Sequence, residues 1–342
     1  MRILVLGATG YVGSRLVPAL LERGHEVVAA SSSEPCPSRF TWGQSVDWVQ
    51  CDVTSTADVE AALADVDAVC YLVHSLSRRG FSGPDLLGAE VVRRGVDASS
   101  VTRLVYLSGL VPDVPTGELS AHLASRLDVE EELLRSSVPT LALRAGVIIG
   151  AGSTSFEIIR QLASLLVVQP VPWWLRSRIQ PIAVTDAVRA LVEAFDPEPG
   201  LVGSLDIGGP DVQRYPRLLA AYSRAARLVR VRVPVLLAPT AVVAAGAAGL
   251  VQAPFWTVTA LVGSLRHDMV CRPDATWTPA SGEALMTVKE AMQRSVAGLG
   301  LEGPLPSDPE WTRQRSPLPG LLPTPTSVRA GASLAWHRLR SL

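Results

Sequence analysis

The stretch "SAHLASRLDVEEELL", residues 120–134, reads as a helix that carries His122 and Arg126 one turn apart on one face. A histidine there can act as a general acid near neutral pH, and an arginine one turn later can bind a ribose or a phosphate. Arginine beside the ring also disfavours the imidazolium that has to donate the proton. The pair can equally line a groove, or form a polar helix face with "DVEEE", and do no chemistry. Other chemistries lose support at once. His25, His74, His122, His267 and His337 have no metal-ligand spacing, nor do Cys36, Cys51, Cys70 and Cys271, and no Gly-x-Ser-x-Gly elbow occurs. Lys289 is the lysine of a chain whose basic residues are otherwise arginine, so no lysine-dependent mechanism can operate in the first 288 residues.

The element that gives the pair a context opens the chain. "LVLGATGYVGSRL" sets Gly7, Gly10 and Gly13 in a Gly-x-x-Gly-x-x-Gly arrangement after an apolar run and at the mouth of a helix. The first glycine permits a tight turn, the second lets a pyrophosphate approach the backbone, and the third allows close helix–strand contact. Thr9, Tyr11 and Val12 complete the turn. These features predict a dinucleotide site. A carboxylate at the end of the second strand would select NAD, yet "AASSSEPCPSRF" places none there. Ser31 and Ser32 can bond a 2'-phosphate and Arg39 can neutralise it, so NADP is expected, with NAD the alternative. Asp52 and Val53 in "QCDVT" follow the third strand, where a side chain can reach the adenine; a surface-turn aspartate is the plainer reading. "YLVHS" brings Leu72 and Val73 past the cofactor and points His74 toward the nicotinamide ribose.

Apolar runs and helical patterns alternate through the first half. "RILVLGA", "HEVVAAS", "DWVQCDV", "DAVCYLVHS", "RLVYLSG" and "PTLALRAGVIIG" read as strands; helices fall near 11–23, 56–64, 84–99 and 121–135. Pro18 inside the first helix predicts a kink. The alternation implies an α/β fold, a doubly wound parallel Rossmann sheet with helices on both faces. Residues 1–150 form the dinucleotide-binding domain, to which a strand and helix near 180–210 return. Residues 151–300 form a smaller, mostly helical and apolar domain on the substrate side, in which Trp173, Trp174, Arg176 and Arg178 can wall a pocket. The segment 301–342, rich in proline, reads as an extended or disordered tail.

With 342 residues, 48% of them hydrophobic, the chain can bury a sizeable core, and a formal net charge of -1 with scattered basic residues gives no reason to expect nucleic acid. The cysteine usage and the absence of a signal-like run at the start suggest the cytoplasm. From Val233 to Leu265 there is no charged residue, longer than a bilayer span requires, but Pro234, Pro239 and Pro254 interrupt it. Broken helices over an apolar pocket, or peripheral membrane contact through 233–265, fit better than a crossing.

Taken with their order, "GATGYVG", "CDV", "YLVHSL", "VYLSGL", "LRAGVIIG" and "QPIAVTDAVRAL" resemble the short-chain dehydrogenase/reductase superfamily. The likeness covers residues 1 to about 300. It is strongest to the extended and atypical branch holding the NmrA-like and NAD(P)H-binding epimerase/dehydratase-like proteins. The resemblance implies a serine that orients substrate, matched by Ser108, and a tyrosine–lysine proton relay whose positions fall on His122 and Arg126. None of Tyr11, Tyr71, Tyr106, Tyr215 and Tyr222 has a lysine four residues later, so the standard relay cannot exist in this chain. The expectation is an NADP(H)-dependent oxidoreductase for an apolar carbonyl or quinone-like substrate. The alternative is a non-catalytic NADP(H)-sensing regulatory or assembly protein.

Overall fold

A computed structural model describes residues 1–74, 82–196, 200–236 and 238–313 of the chain. The first half runs β1 (Arg2–Leu6), α1 (Gly13–Glu22), β2 (Glu26–Ser31), β3 (Asp47–Gln50), α2 (Thr56–Ala62), β4 (Ala68–Tyr71), α3 (Ser82–Asp97), β5 (Arg103–Gly109), α4 (Ala121–Leu134) and β6 (Thr140–Ala145). After it come β7 (Ile148–Ile149), α5 (Thr154–Leu165), β8 (Val168–Pro172), β9 (Arg178–Ile179), β10 (Ile182–Ala183), α6 (Val184–Glu193), β11 (Gly203–Ile207), β12 (Gln213–Arg214), α7 (Tyr215–Ala225) and β13 (Val231–Val235). The described chain closes with α8 (Thr240–Leu250), α9 (Phe255–Ser264), α10 (Val288–Ala297) and α11 (Glu310–Arg313).

Seven strands form one parallel sheet in the order β3-β2-β1-β4-β5-β6-β11. The central strands are apolar on both faces because helices cover both. On one side Leu16, Val17 and Leu20 of α1 and Val188 and Leu191 of α6 pack on Val5 and Val27. On the other, Val59, Val92 and Val129 from α2, α3 and α4 pack on Leu4, Val28 and Leu104. The strand order reverses between β1 and β4, which opens a crevice at their carboxyl ends.

Pro18 does not interrupt α1, which runs unbroken from Gly13–Glu22. A proline leaves the carbonyl four residues earlier without its helical donor. Here that carbonyl is Ser14's, and the Trp42 indole N–H donates to it at 3.0 Å.

A second core gathers Phe156 and Ile159 of α5, Leu218 and Tyr222 of α7, Val258 of α9 and Met292 of α10. Three two-stranded pairings, β7 with β10, β9 with β12 and β8 with β13, frame this lobe. The charge-free run is divided among β13, α8 and α9, with Pro239 and Pro254 at the helix starts. Eleven residues in α8 reach only about 16 Å. Among the described residues no helix is long and apolar enough to cross a membrane.

The expected loose tail does not begin at 301. Arg15 on α1 is fully buried, and so is its partner Asp308. The guanidinium donates to both Asp308 carboxylate oxygens (2.8 and 3.0 Å) and to the carbonyls of Tyr11, Ala151, Leu301 and Gly303 (2.9 to 3.1 Å). Glu302, also buried, accepts from the Thr185 backbone and hydroxyl. These bonds fasten residues 301–308 across α1 and the start of the second lobe; the rest of the proline-rich segment, 314–342, lies outside the described residues.

Removing one member of a buried ion pair leaves the other charge uncompensated, at a cost of about 3–5 kcal/mol. Asp308→Asn is therefore expected to lower the unfolding free energy by about that amount in urea denaturation. A loss below about 1 kcal/mol, the level of an exposed pair, would show that Asp308 does not anchor the segment.

Candidate functional site

The turn after β1 is built as the glycine spacing demands. Gly7 sits at φ +92°, a left-handed conformation that glycine adopts freely, and a Cβ there would press on the Leu72 backbone at 3.3 Å. A Cβ on Gly13 would drive into the Gly7 carbonyl oxygen, so the third glycine sets the approach of α1 to the turn. Gly10 differs from both. Its own N–H bonds the Gly7 carbonyl at 3.0 Å, and a Cβ on it would meet only that carbonyl oxygen, at 3.3 Å. The backbone over Gly10 is thus open to a ligand.

No side chain caps the start of α1, and the backbone N–H groups of Tyr11 and Val12 have no acceptor among the described residues. Free N–H groups at a helix N-terminus favour an anion. The residues present fit the pyrophosphate of a dinucleotide: a tight turn, an open glycine surface and unpaired donors.

The turn opens on a cleft of about 280 Å³ whose lining includes Gly7, Gly10, Leu72, Ser108, His122 and Arg126. The sheet positions three of these by ending parallel strands side by side. Leu72 follows β4, with its N–H on the Leu6 carbonyl at 2.9 Å, and Ser108 stands near the end of β5. His122 and Arg126 come from α4, whose start is set by Ser120, its hydroxyl accepting from the Leu123 N–H at 3.3 Å. His74 also lines the cleft, its ring Nδ1 3.5 Å from the Leu72 carbonyl.

The polar groups here carry unusual burdens. Ser108 is 2% exposed and its hydroxyl has no hydrogen-bond partner of good geometry. The Tyr11 phenol is also buried without a partner. Burial keeps that phenol protonated by pushing its pKa up, against the lowering effect of Arg15, whose guanidinium carbon lies 3.9 Å from the Tyr11 ring centre. Burial holds the His122 imidazole well below its ordinary range, and the Arg126 charge and His74 push it further down. Arg126 itself donates to the Leu107 carbonyl at 3.1 Å. Around neutrality His122 is therefore uncharged. It can offer or accept a hydrogen bond, but it is not the imidazolium donor that its type alone suggests.

Among the expected cofactor residues, Gly7, Gly10, Tyr11, Val12, Gly13, Leu72 and His74 share the cleft with Ser108, His122 and Arg126. The others stand outside its lining. Thr9 is half-buried in the turn, and Val73 packs partly against the core on the α2–α4 side. Ser31, at the end of β2, is buried, with its hydroxyl 3.4 Å from the Ser33 N–H, while Ser32 is exposed. Arg39 donates to the Ser307 carbonyl at 2.7 Å, so the fastened C-terminal segment fixes one edge of its guanidinium.

Asp52 is engaged locally. Its carboxylate accepts from the Thr54 N–H (2.9 Å) and hydroxyl (2.8 Å), which lower its pKa. Val53 lies under α3, where a Cβ on Gly88 would touch it. Trp173 and Trp174 line a different groove.

Leu261, Val262, Ser264 and Leu265 of the charge-free run form part of the far wall of the cleft; the sequence reading missed Ser153, Thr154 and Ser155 at the start of α5, Tyr215 and Met269. The cap pattern of Ser153, whose hydroxyl accepts from the Phe156 N–H, was a usable signal for the first group. The rest come from distant segments brought in by the second lobe and carry no local signal.

Residues 7–162 match a family model described as NAD(P)H-binding. The chain is 28% identical over 225 residues to an uncharacterized protein of Mycobacterium tuberculosis, covering 66% of this chain but 23% of that protein. It thus spans about a quarter of the length of the mycobacterial relatives it matches. It is 32% identical over 189 residues to the 2-alkyl-3-oxoalkanoate reductase of Stenotrophomonas maltophilia, covering 48% of this chain and 55% of that one. Human short-chain dehydrogenase/reductase family 42E member 1 is 32% identical over 117 residues, covering 31% and 28%. Among solved structures, the Thermotoga maritima UDP-glucose 4-epimerase superposes with a TM-score of 0.64 at 15% identity, covering 87% of this chain and 98% of that one, a likeness of fold.

Because the folded state disfavours protonated His122 more than the unfolded chain does, acid should cost stability as pH falls through the unfolded value of about 6.5. His122→Gln removes this component. Urea unfolding should then lose free energy less steeply from about pH 7 to about pH 5 in the variant than in the parent. Equal slopes would mean that His122 titrates normally in the fold.

Proposed function

We propose that the chain, whose residues 7–162 match an NAD(P)H-binding family model and whose partial relatives include a short-chain dehydrogenase/reductase, is a member of the extended and atypical branch of that superfamily and an NADP(H)-dependent oxidoreductase acting on an apolar carbonyl or quinone-like substrate. The observation that carries this reading is a single cleft that joins the anion-binding glycine turn to Ser108, His122 and Arg126. A bound nicotinamide supplies a hydride. Ser108, with a buried hydroxyl lacking a good partner, can donate a hydrogen bond to a substrate oxygen, and neutral His122 can donate a second. Arg126, held on the Leu107 carbonyl, supplies fixed positive charge beside them.

None of these groups is a strong proton donor at neutral pH. A quinone or enone suits such a site, because its product can take protons from solvent. The part of the far wall made by Leu261, Val262, Leu265 and Met269 favours a hydrophobic substrate. The name of the Stenotrophomonas relative points the same way, toward an acyl-chain ketone. Preference for NADP rests on the end of β2, where Ser31 and Ser32 stand in place of a carboxylate and Arg39 is the nearest cation in sequence.

The test is oxidation of NADPH by the purified protein with a panel of quinones, enones and long-chain ketones, for the parent, Ser108→Ala and His122→Ala. The expected result is acceptor-dependent turnover that falls by roughly tenfold or more in each variant, the size of a lost transition-state hydrogen bond. Tight NADPH binding with no turnover on any acceptor would overturn the enzyme reading in favour of a nucleotide sensor.

A further inference from the structure

The second lobe has an unusual distribution of charge. Residues 158–185 contain three arginines and residues 212–267 contain seven, and neither segment contains a carboxylate. All 32 acidic residues of a chain with net charge -1 lie elsewhere. The same two segments supply β8 and β13, which pair in parallel with Val168 opposite Val231 and Pro170 opposite Val233.

This ribbon is turned inside out. Its outward face is apolar: Val168 is 56% exposed, Val231 55% and Val233 42%. Its inward face carries Gln169, 3% exposed, with both amide atoms lacking a partner, opposite Arg232. A ribbon covering an ordinary core would bury the valines and expose the glutamine.

The apolar face continues beyond the ribbon. Trp173 follows β8 and is 61% exposed; Leu236 follows β13 and is 79% exposed. They line a groove of about 670 Å³ with Arg176 and Arg266, neither of which has a carboxylate partner among the described residues. Asp268, also at this groove, is engaged by Arg178 at 2.8 Å. Exposed aliphatic and indole groups beside unpaired guanidiniums match the boundary between anionic headgroups and acyl chains. A nucleic acid would satisfy the arginines but has no use for the valine face.

We propose that the outer face of the β8–β13 ribbon, with Trp173, Leu236, Arg176 and Arg266, docks on the anionic phospholipid surface of a membrane without crossing it. The surface is independent of the nucleotide cleft, and the inference does not rest on the proposed oxidoreductase activity. Its consequence is access for a membrane-dissolved molecule to a protein whose described helices are too short to span.

The test is co-sedimentation of the full chain with vesicles of phosphatidylcholine alone or mixed with phosphatidylglycerol. Partition onto the mixed vesicles is expected to exceed that onto the neutral ones and to weaken as salt is raised. Arg176→Glu with Arg266→Glu should reduce it at least about twentyfold, at about fivefold per cation. Trp173→Ser with Leu236→Ser should reduce it at unchanged salt sensitivity. These side chains are exposed, so thermal melts matching the parent establish that the variants fold. Equal partition onto both vesicle types, no partition at all, or full binding by both variants would overturn the proposal. So would capture of an oligonucleotide in place of vesicles.

Discussion

The buried Arg15–Asp308 pair is the interaction on which the arrangement of the site depends. An arginine with no solvent exposure must have its N–H groups occupied, and here a carboxylate and four carbonyls occupy them. Those acceptors come from the glycine turn, from Ala151 where the second lobe begins, and from residues 301–308. The guanidinium also lies against the Tyr11 ring. One side chain thus fixes the turn, the lobe and the C-terminal segment relative to each other. Gly152, at φ +90°, belongs to the same arrangement, because a Cβ there would displace the Asp308 carboxylate.

The cleft that results is electrostatically different from one built on a tyrosine–lysine relay. Lysine beside a phenol lowers the phenol's pKa and prepares it to give up a proton. Arg126 beside His122 acts on a base instead, and together with burial it keeps the ring neutral. The turn presents donors to an anion, Ser108 presents a hydroxyl, and among the described residues lining the cleft the charged group is Arg126, which is no ready proton donor to an alkoxide.

The sequence makes the sheet and the turn legible because both depend on local patterns. Each run from "RILVL" to "TLALRA" became a strand of the expected sheet; the central ones, buried on both faces, leave an unbroken apolar signature, whereas the edge strand "DWVQ" is half-exposed and reads more weakly. The glycines declared their roles through spacing. Pro18 stayed inside one helix, and the bond that the Trp42 indole makes to the Ser14 carbonyl joins residues too far apart in sequence to be read locally. The tail misled for a similar reason: proline-rich composition suggested disorder, whereas Glu302 and Asp308 are held by buried partners that composition does not reveal. Ser31 closes β2, but the tie from Arg39 to Ser307 was invisible, since it joins segments 268 positions apart.

The central claim is that the glycine turn at the head of α1 holds a nicotinamide dinucleotide. The most direct measurement is a fluorescence titration of the purified chain with NADPH and with NADH, beside the variant Gly10→Phe. A Cβ at Gly10 would meet only the Gly7 carbonyl oxygen, at 3.3 Å, so the melt of the variant is compared with that of the parent before its binding is read. The account predicts saturable binding by the parent, tighter for NADPH, and none by a variant that melts like the parent. Undiminished binding by Gly10→Phe, or no binding by the parent, would contradict it.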